Sequence, residues 1–300
     1  MEAVAVVDTV SPDLAASGIE ITAANLNDST NTSVVTITFT EAVTEFNNSD
    51  ITVTGGTLST VGSNDGGVTW SGIFTASDDS TANGTITIGT DYQDLVGNVG
   101  ANGDTDSVVV DTTNPTATVT FAADGLNDDT NESLVTIVFS EAVANFGNAD
   151  VSVVGGTLGT LTSADQITWT ATFTASDDST EEASVTVIGA YEDGAGNIGA
   201  TGADDTATVD TTNPTATIVF DKTSLKKETG GDGADESIVT ITFSEGVTAF
   251  SNEDLVVEGG TLTELTSNVS NTVWTGTFTA TDDSTTVSYT HLTLPTKRIV

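Results

Sequence analysis

The chain has 300 residues, with 44 Asp and Glu against five Lys and Arg, for a formal net charge of −39. No Lys or Arg occurs between Met1 and Asp221, which excludes a nucleic-acid binder built on phosphate contacts and sets the chain against an anionic membrane surface. There is no Cys and one His, so disulfides and Cys/His or Ser/His/Asp catalysis lack their residues, and no apolar run reaches transmembrane length.

Residues 1–7 read as the remnant of a preceding repeat. Ala3-Val4-Ala5-Val6-Val7 runs into Asp8 much as Ala207-Thr208-Val209 runs into Asp210. No signal peptide stands before it, so the expectation is a piece of a longer array. Asp8-Thr9-Val10-Ser11-Pro12 opens a first unit, 8–110. Asp111-Thr112-Thr113-Asn114-Pro115 opens a second, 111–209, and Asp210-Thr211-Thr212-Asn213-Pro214 a third, 210–287. Such repetition defines a tandem array, and each unit is long enough for one small core.

Within each unit the same elements recur. Val35-Thr36-Ile37-Thr38-Phe39-Thr40-Glu41 matches Val135 to Glu141 and Val239 to Glu245, alternating with the period of a half-buried strand. A Gly-Gly-Thr-Leu turn follows at Gly55, Gly155 and Gly259. Next come Trp70 to Phe74, Trp169 to Phe173 and Trp274 to Phe278, where Trp and Phe share a face and a small residue between them leaves room for the Trp ring. That inward parity points to core packing, with sugar stacking as the alternative. The second unit reads as seven strands near 116–121, 134–140, 149–154, 157–162, 167–175, 184–190 and 205–210. The fold class is therefore all-β, tandem Ig-like β-sandwiches of about seven strands each.

The third unit departs from the pattern after Asp282-Asp283-Ser284-Thr285. Residues 288–300 hold the lone His291 and no acid, and they resemble translated sequencing adaptor. They read as a non-native tail, leaving the third unit truncated.

Calcium is the chemistry that the recurrent oxygens fit, since Ca²⁺ takes six to eight oxygen ligands. Sandwich topology puts two loops of one unit beside its outgoing linker and two loops of the next unit beside the same linker. At the first joint this gathers Asp28, Asp78 and Asp79 from unit one, Asp111 from the linker, and Glu141, Asp193 and Asn197 from unit two. At the second it gathers Asp128, Asp129, Asp177, Asp178, Asp210 and Glu245. The top of unit one carries Asp8, Glu41, Asp94 and Asn98. Glu141 continues the core-side parity of Val135, Ile137 and Phe139, where an unpaired acid is costly; alternatively the strand has ended and Glu141 points to water. The Asp193–Asn197 and Asp94–Asn98 loops could equally be turns with side chains bonded to backbone. The Asp-Asp pairs could be solvated turns.

With the Asp-Thr-Thr-Asn-Pro joint, the Phe139-to-Val143 strand end, the Gly-Gly-Thr-Leu turn and the Asp-x-x-Gly-Asn loop in hand, the array resembles the bacterial Ig-like repeats of large RTX-type surface adhesins. The resemblance covers about 8–287. It implies an extracellular, calcium-stiffened rod without catalytic activity, monomeric, whose partners are neighbouring repeats and whose adhesive target lies elsewhere. The first joint's Asp8-Thr9-Val10-Ser11-Pro12 and the third unit's missing Asp-x-x-Gly-Asn loop depart from the pattern. Two other readings stay open: an Ig-like glycan- or protein-binding module, on its own or accessory to a secreted enzyme, and a passive spacer adapted to brine.

Overall fold

Thr and Ser alternate with Val, Ile and Phe in the long strands, and this pattern becomes strand where one face finds a core. The computed structural model describes residues 7–189, 191–226, 233–281 and 291–292. Among these, regular structure is strand apart from the single-turn 3₁₀ helices Asn48–Asp50, Asn148–Asp150 and Asn252–Asp254. The three tandem units are Ig-like sandwiches.

Unit two shows the plan. One sheet runs Ala117–Phe121, Glu132–Phe139, Thr168–Ala175, Gly156–Leu158, all antiparallel. The other runs Gly125–Asn127, Asp204–Asp210, Ala183–Val187, Val151–Val154, with its first pair parallel. A third ladder, Val143–Ala144 with Glu192–Asp193, caps the end of the sandwich that faces the incoming linker. Unit one repeats both sheets and the cap. All seven expected strands are present in unit two. The expected strand 149–154 begins as a 3₁₀ turn, because Asp150 accepts the Gly147 N–H at 2.9 Å and tightens the chain there. The expected strand 157–162 keeps only Gly156–Leu158 and a bridge between Thr162 and Thr170. In unit three the first sheet is complete. Leu255 faces Leu292 as Ile51 faces Ile88 and Val151 faces Val187. The rest of 288–300, and 1–6 of the expected remnant strand, lie outside the described residues.

The core of unit two buries Val135, Ile137, Phe173, Ala183, Val185, Val187 and Tyr191 completely. A file of rings, Trp169, Phe146, Phe139 and Tyr191, crosses it with centroid spacings of 5.3, 4.8 and 4.7 Å. Unit one has the same file in Trp70, Phe46, Phe39 and Tyr92. The Trp rings are half-buried at one end of the file, while the Phe four residues on is fully buried. The small residue between them serves a different neighbour than the sequence suggested. A Cβ at Gly72 would meet Val61 and Leu58 at 3.2 and 3.3 Å, so the space is theirs and not the indole's.

The Gly-Gly pair of the turn has two separate causes. Gly55, Gly155 and Gly259 have φ of 69°, 72° and 75°, the left-handed region that glycine enters without cost. At the following Gly156 a Cβ would stand 2.5 Å from Phe173 Cζ. Gly199 is tighter, because a Cβ there would overlap the ring of fully buried Tyr191. We therefore expect Gly199→Ala to cost about 2 kcal/mol by overpacking, read as a lowered midpoint in chemical denaturation. An unchanged midpoint would mean that the Tyr191 ring moves freely.

Candidate metal centre at the interdomain joint

The last strand of unit one, Asp104–Val110, delivers the chain to Asp111, whose N–H continues the pairing by donating to Leu26 O at 2.9 Å. The linker then turns on itself, with Asp111 Oδ1 accepting the Thr113 N–H at 3.2 Å. Thr112, 2% exposed, is stitched to the outgoing unit. Its hydroxyl donates to Ser77 O at 2.8 Å and accepts from Ser80 N at 3.0 Å. Thr211 repeats both contacts with Ser176 and Ser179. Pro115, at the far end of the linker, is tied to unit two through its carbonyl, which accepts from the Tyr191 hydroxyl at 3.3 Å.

Opposite the linker stands the Asp193–Asn197 loop. Asp193 is 3% exposed and paired in register with Val143. Its Oδ1 accepts the N–H groups of Ala195 and Asn197 at 2.8 and 2.9 Å, and its Oδ2 accepts Asn197 Nδ2 at 2.7 Å. Asn197, 1% exposed, reaches both ways. Its Nδ2 donates to Asp111 O at 2.9 Å, and its Oδ1 accepts the Asp28 N–H of unit one at 2.7 Å. Asn27 Nδ2 crosses the same gap to Ala195 O at 2.8 Å. The joint is thus closed by hydrogen bonds from both sides, and the Asp193 loop is a backbone-bonded turn that also reaches across it.

Glu141 completes it. The strand ends at Phe139 and the chain bends at Ser140 and Glu141, so strand parity does not place this side chain. It is nevertheless half-buried, and carboxylate oxygens of Asp111, Glu141 and Asp193 lie within 4.8 Å of one another. Burial raises the Glu141 carboxyl above its ordinary 4.5, and the charges of Asp193 and Asp111 add to that. The top of unit one repeats the arrangement with Asp8, Glu41 and Asp94. There burial, then Asp8 and Asp94, raise Glu41. Asp94 is 2% exposed; burial opposes its ionisation, but the Asn98 N–H and side chain, with the N–H groups of Val96 and Gly97, hold its carboxyl below the usual range. Asn98 Nδ2 donates to Asp94 Oδ2 at 2.6 Å and to Asp8 O at 3.3 Å.

The other expected ligands are distributed differently. Asp78, Asp79, Asp177 and Asp178 belong to neither three-carboxylate group. They sit in exposed turns where Asp79 and Asp178 take φ of 47° and 49°, and whose flanking serines hold Thr112 and Thr211. Asp28 reaches the joint through its backbone N–H. Asp128 Oδ2 accepts Asn213 Nδ2 at 3.1 Å beside the second linker, and Asp129 N–H donates to Asn127 Oδ1 at 3.0 Å. Asp210 Oδ1 accepts the Thr212 N–H at 3.4 Å. Asp210 and Glu245 belong to no three-carboxylate group among the described residues. Sequence reasoning missed Asn27 and the buried threonines. The signal for the latter was present, since Thr follows Asp in all three joint motifs.

The donor set fits a hard divalent cation. It consists of carboxylate oxygens with no nitrogen or sulfur ligand, and the chain carries no Lys or Arg before Lys222 to neutralise it. The two raised glutamates fix a pH dependence in metal-free solution. An acid whose folded pKa lies above its unfolded value costs nothing below about pH 4.5, and its cost grows as pH rises through the folded value. Asp65 has the opposite sign. The N–H of Thr69, ahead of opposing burial and the Ser63 and Val68 contacts, holds it at about 2. Its contribution is present above pH 3.8 and is lost as pH falls towards 2. With chelator present, melting temperature should therefore fall as pH rises above 4.5, and Glu141→Gln should reduce that slope. An unaltered slope in the variant would assign the trend to net charge alone.

A family model described as a bacterial Ig-like domain matches residues 8–110, 111–209 and 210–297. No curated protein matches the chain. Among solved structures, invasin, a bacterial integrin-binding protein, is 14% identical with a TM-score of 0.35; the match covers 87% of this chain and 53% of that one, so this chain spans about half of it. The Yersinia pseudotuberculosis adhesin InvE is 14% identical with a TM-score of 0.29, covering 85% of this chain and 72% of that one. A native alpha-2-macroglobulin from Escherichia coli is 11% identical with a TM-score of 0.23, covering 90% and 92%.

Proposed function

The chain belongs to the bacterial Ig-like domain family, and from that premise we propose that it is an extender segment of a cell-surface or secreted adhesin of RTX type, stiffened by Ca²⁺ at its joints. One observation carries the reading: Asp111 of the linker and Glu141 and Asp193 of the following unit converge within 4.8 Å, in a joint already closed by Asn197. These three residues would hold the ion, with carbonyl oxygens and water supplying the remaining ligands. Its charge would offset both the burial and the repulsion from Asp193 and Asp111 that raise Glu141, and it would fasten the linker to unit two. Since the linker is also stitched to unit one through Thr112, fixing Asp111 restrains both neighbours. Extracellular calcium modules bind at about 10⁻⁴–10⁻³ M, which makes the segment stiff outside a cell and looser in a calcium-poor cytosol.

Small-angle scattering of the full chain tests this. With millimolar Ca²⁺ the maximum dimension should lengthen and the distance distribution sharpen relative to chelator. Mg²⁺ should act more weakly, because it demands near-ideal octahedral geometry and holds its water. Identical profiles in Ca²⁺ and chelator would reject calcium stiffening.

A further inference from the structure

Unit three carries a recess that neither joint uses. Its floor is Phe250 and Leu265, 6% and 7% exposed, with half-buried Trp274 standing edge-on to Phe250 at 5.4 Å. It opens to about 510 Å³, and Glu253 and Glu264 stand at its rim. Asn252 stiffens one wall, donating to Thr263 O at 2.9 Å and accepting the Leu265 N–H at 2.9 Å.

The floor is common to the repeat and the rim is not. Unit one has Phe46, Trp70 and Val61 in the floor positions, and unit two has Phe146, Trp169 and Leu161. At the rim, however, unit one has Ser49 and Thr60 where unit three has Glu253 and Glu264, and unit two has Ala149 and Thr160. The sandwich therefore does not need these two charges in order to fold. Their carboxylates accept no hydrogen bond and form no ion pair among the described residues. Both are exposed, so the charges stand over an aromatic floor at no desolvation cost.

We propose that this recess receives a lysine side chain of a partner protein, with the ammonium between Glu253 and Glu264 and the methylene stem along Trp274 and Phe250. Two carboxylates without a third are a poor cage for a metal, and a hydrated metal ion gains nothing from an indole. An alkylammonium gains from both parts of the recess. Its charge is attracted by the carboxylates and by the ring face, and its stem covers apolar surface while the head stays wet.

The test uses the full chain with N-acetyl-lysine methylamide as probe and N-acetyl-norleucine methylamide as its uncharged match, followed by the Trp274 indole resonance in NMR. The lysine probe should shift that resonance with a Kd of about 1 mM, and the norleucine probe should not. Glu253→Gln with Glu264→Gln should weaken binding at least tenfold without moving the melting temperature, since both side chains are exposed. Ser49→Glu with Thr60→Glu should create a second responding indole at Trp70. Equal shifts from both probes, undiminished binding in the double Gln variant, or a silent Trp70 in the gain variant would each overturn the proposal.

Discussion

Asn197→Ala should lower the melting temperature of the second unit by more than 10 °C and loosen the first joint. The reason is the number of groups that one amide satisfies. Removing it strips a partner from Asp193 Oδ2, Asp111 O and the Asp28 N–H, bonded at 2.7, 2.9 and 2.7 Å. An orphaned buried polar group costs about 1–3 kcal/mol. Asp111 borders solvent and water can recover part of its share, so the sum is nearer about 3 kcal/mol than the maximum. For a domain of this size, each kcal/mol moves the midpoint by about 4–8 °C. The protein contains its own control. Asn98 holds Asp94 and the Asp8 carbonyl in the same way, but among the described residues it accepts no N–H from another unit. Asn98→Ala should therefore cost less and leave the scattering profile unchanged. If the two variants behave alike in calorimetry and in scattering, the bond from Asp28 adds nothing to the joint.

The contrast between these asparagines also shows what a sequence can disclose. The sandwich was legible because its causes are local and repeated. Val135, Ile137 and Phe139 alternate, and their counterparts at Val35 and Val239 repeat the pattern. Turn glycines stand where φ is positive or where a Phe ring leaves no room. The convergence of Asp111, Glu141 and Asp193 was legible in part: knowing which loops lie at which end of a sandwich brings them to one joint, but the same rule also brought Asp28, Asp78 and Asp79, which stand outside that group. The reasons behind individual side chains were less accessible. Glu141 reaches the site by a bend after the strand, which periodicity cannot describe. The Asp78-Asp79 pair looked like ligands because acids recur there, yet the working parts of that turn are the flanking Ser77 and Ser80, which grip Thr112. Repetition marks a position as constrained without saying by what. Here the constraint is a buried hydroxyl on the linker, and only the fold shows that the hydroxyl is buried. Thr9 supports this reading, since it occupies the same motif position with no unit before it among the described residues and is exposed, while Thr112 and Thr211 are 2% and 1% exposed.

Glu141→Gln should have effects of opposite sign with and without calcium. In chelator the variant should be no less stable than the parent, and more stable above pH 4.5, because it removes a carboxylate that burial disfavours and that lies within 4.8 Å of two like charges. In calcium the order should reverse. A site with a dissociation constant of about 10⁻⁴–10⁻³ M, presented with about 10 mM Ca²⁺, stabilises the folded form by about 1.4–2.7 kcal/mol. A neutral amide keeps an oxygen at the site but gives up its charge, so affinity should fall at least tenfold and most of that gain should vanish. Calorimetric titration reads the affinity, and the melting temperature in calcium minus that in chelator reads the linkage. Glu41→Gln should act alike at the top of unit one, where Asp8, Glu41 and Asp94 repeat the arrangement. Asp78→Asn with Asp79→Asn should change neither reading, because that turn lies outside the converging carboxylates. This triplet separates two explanations that net charge alone would confuse. If calcium merely screens a chain of charge −39, every acid removed should reduce the response by a similar small amount. If it occupies the joint, Glu141 and Glu41 should account for nearly all of the response and Asp78 and Asp79 for none.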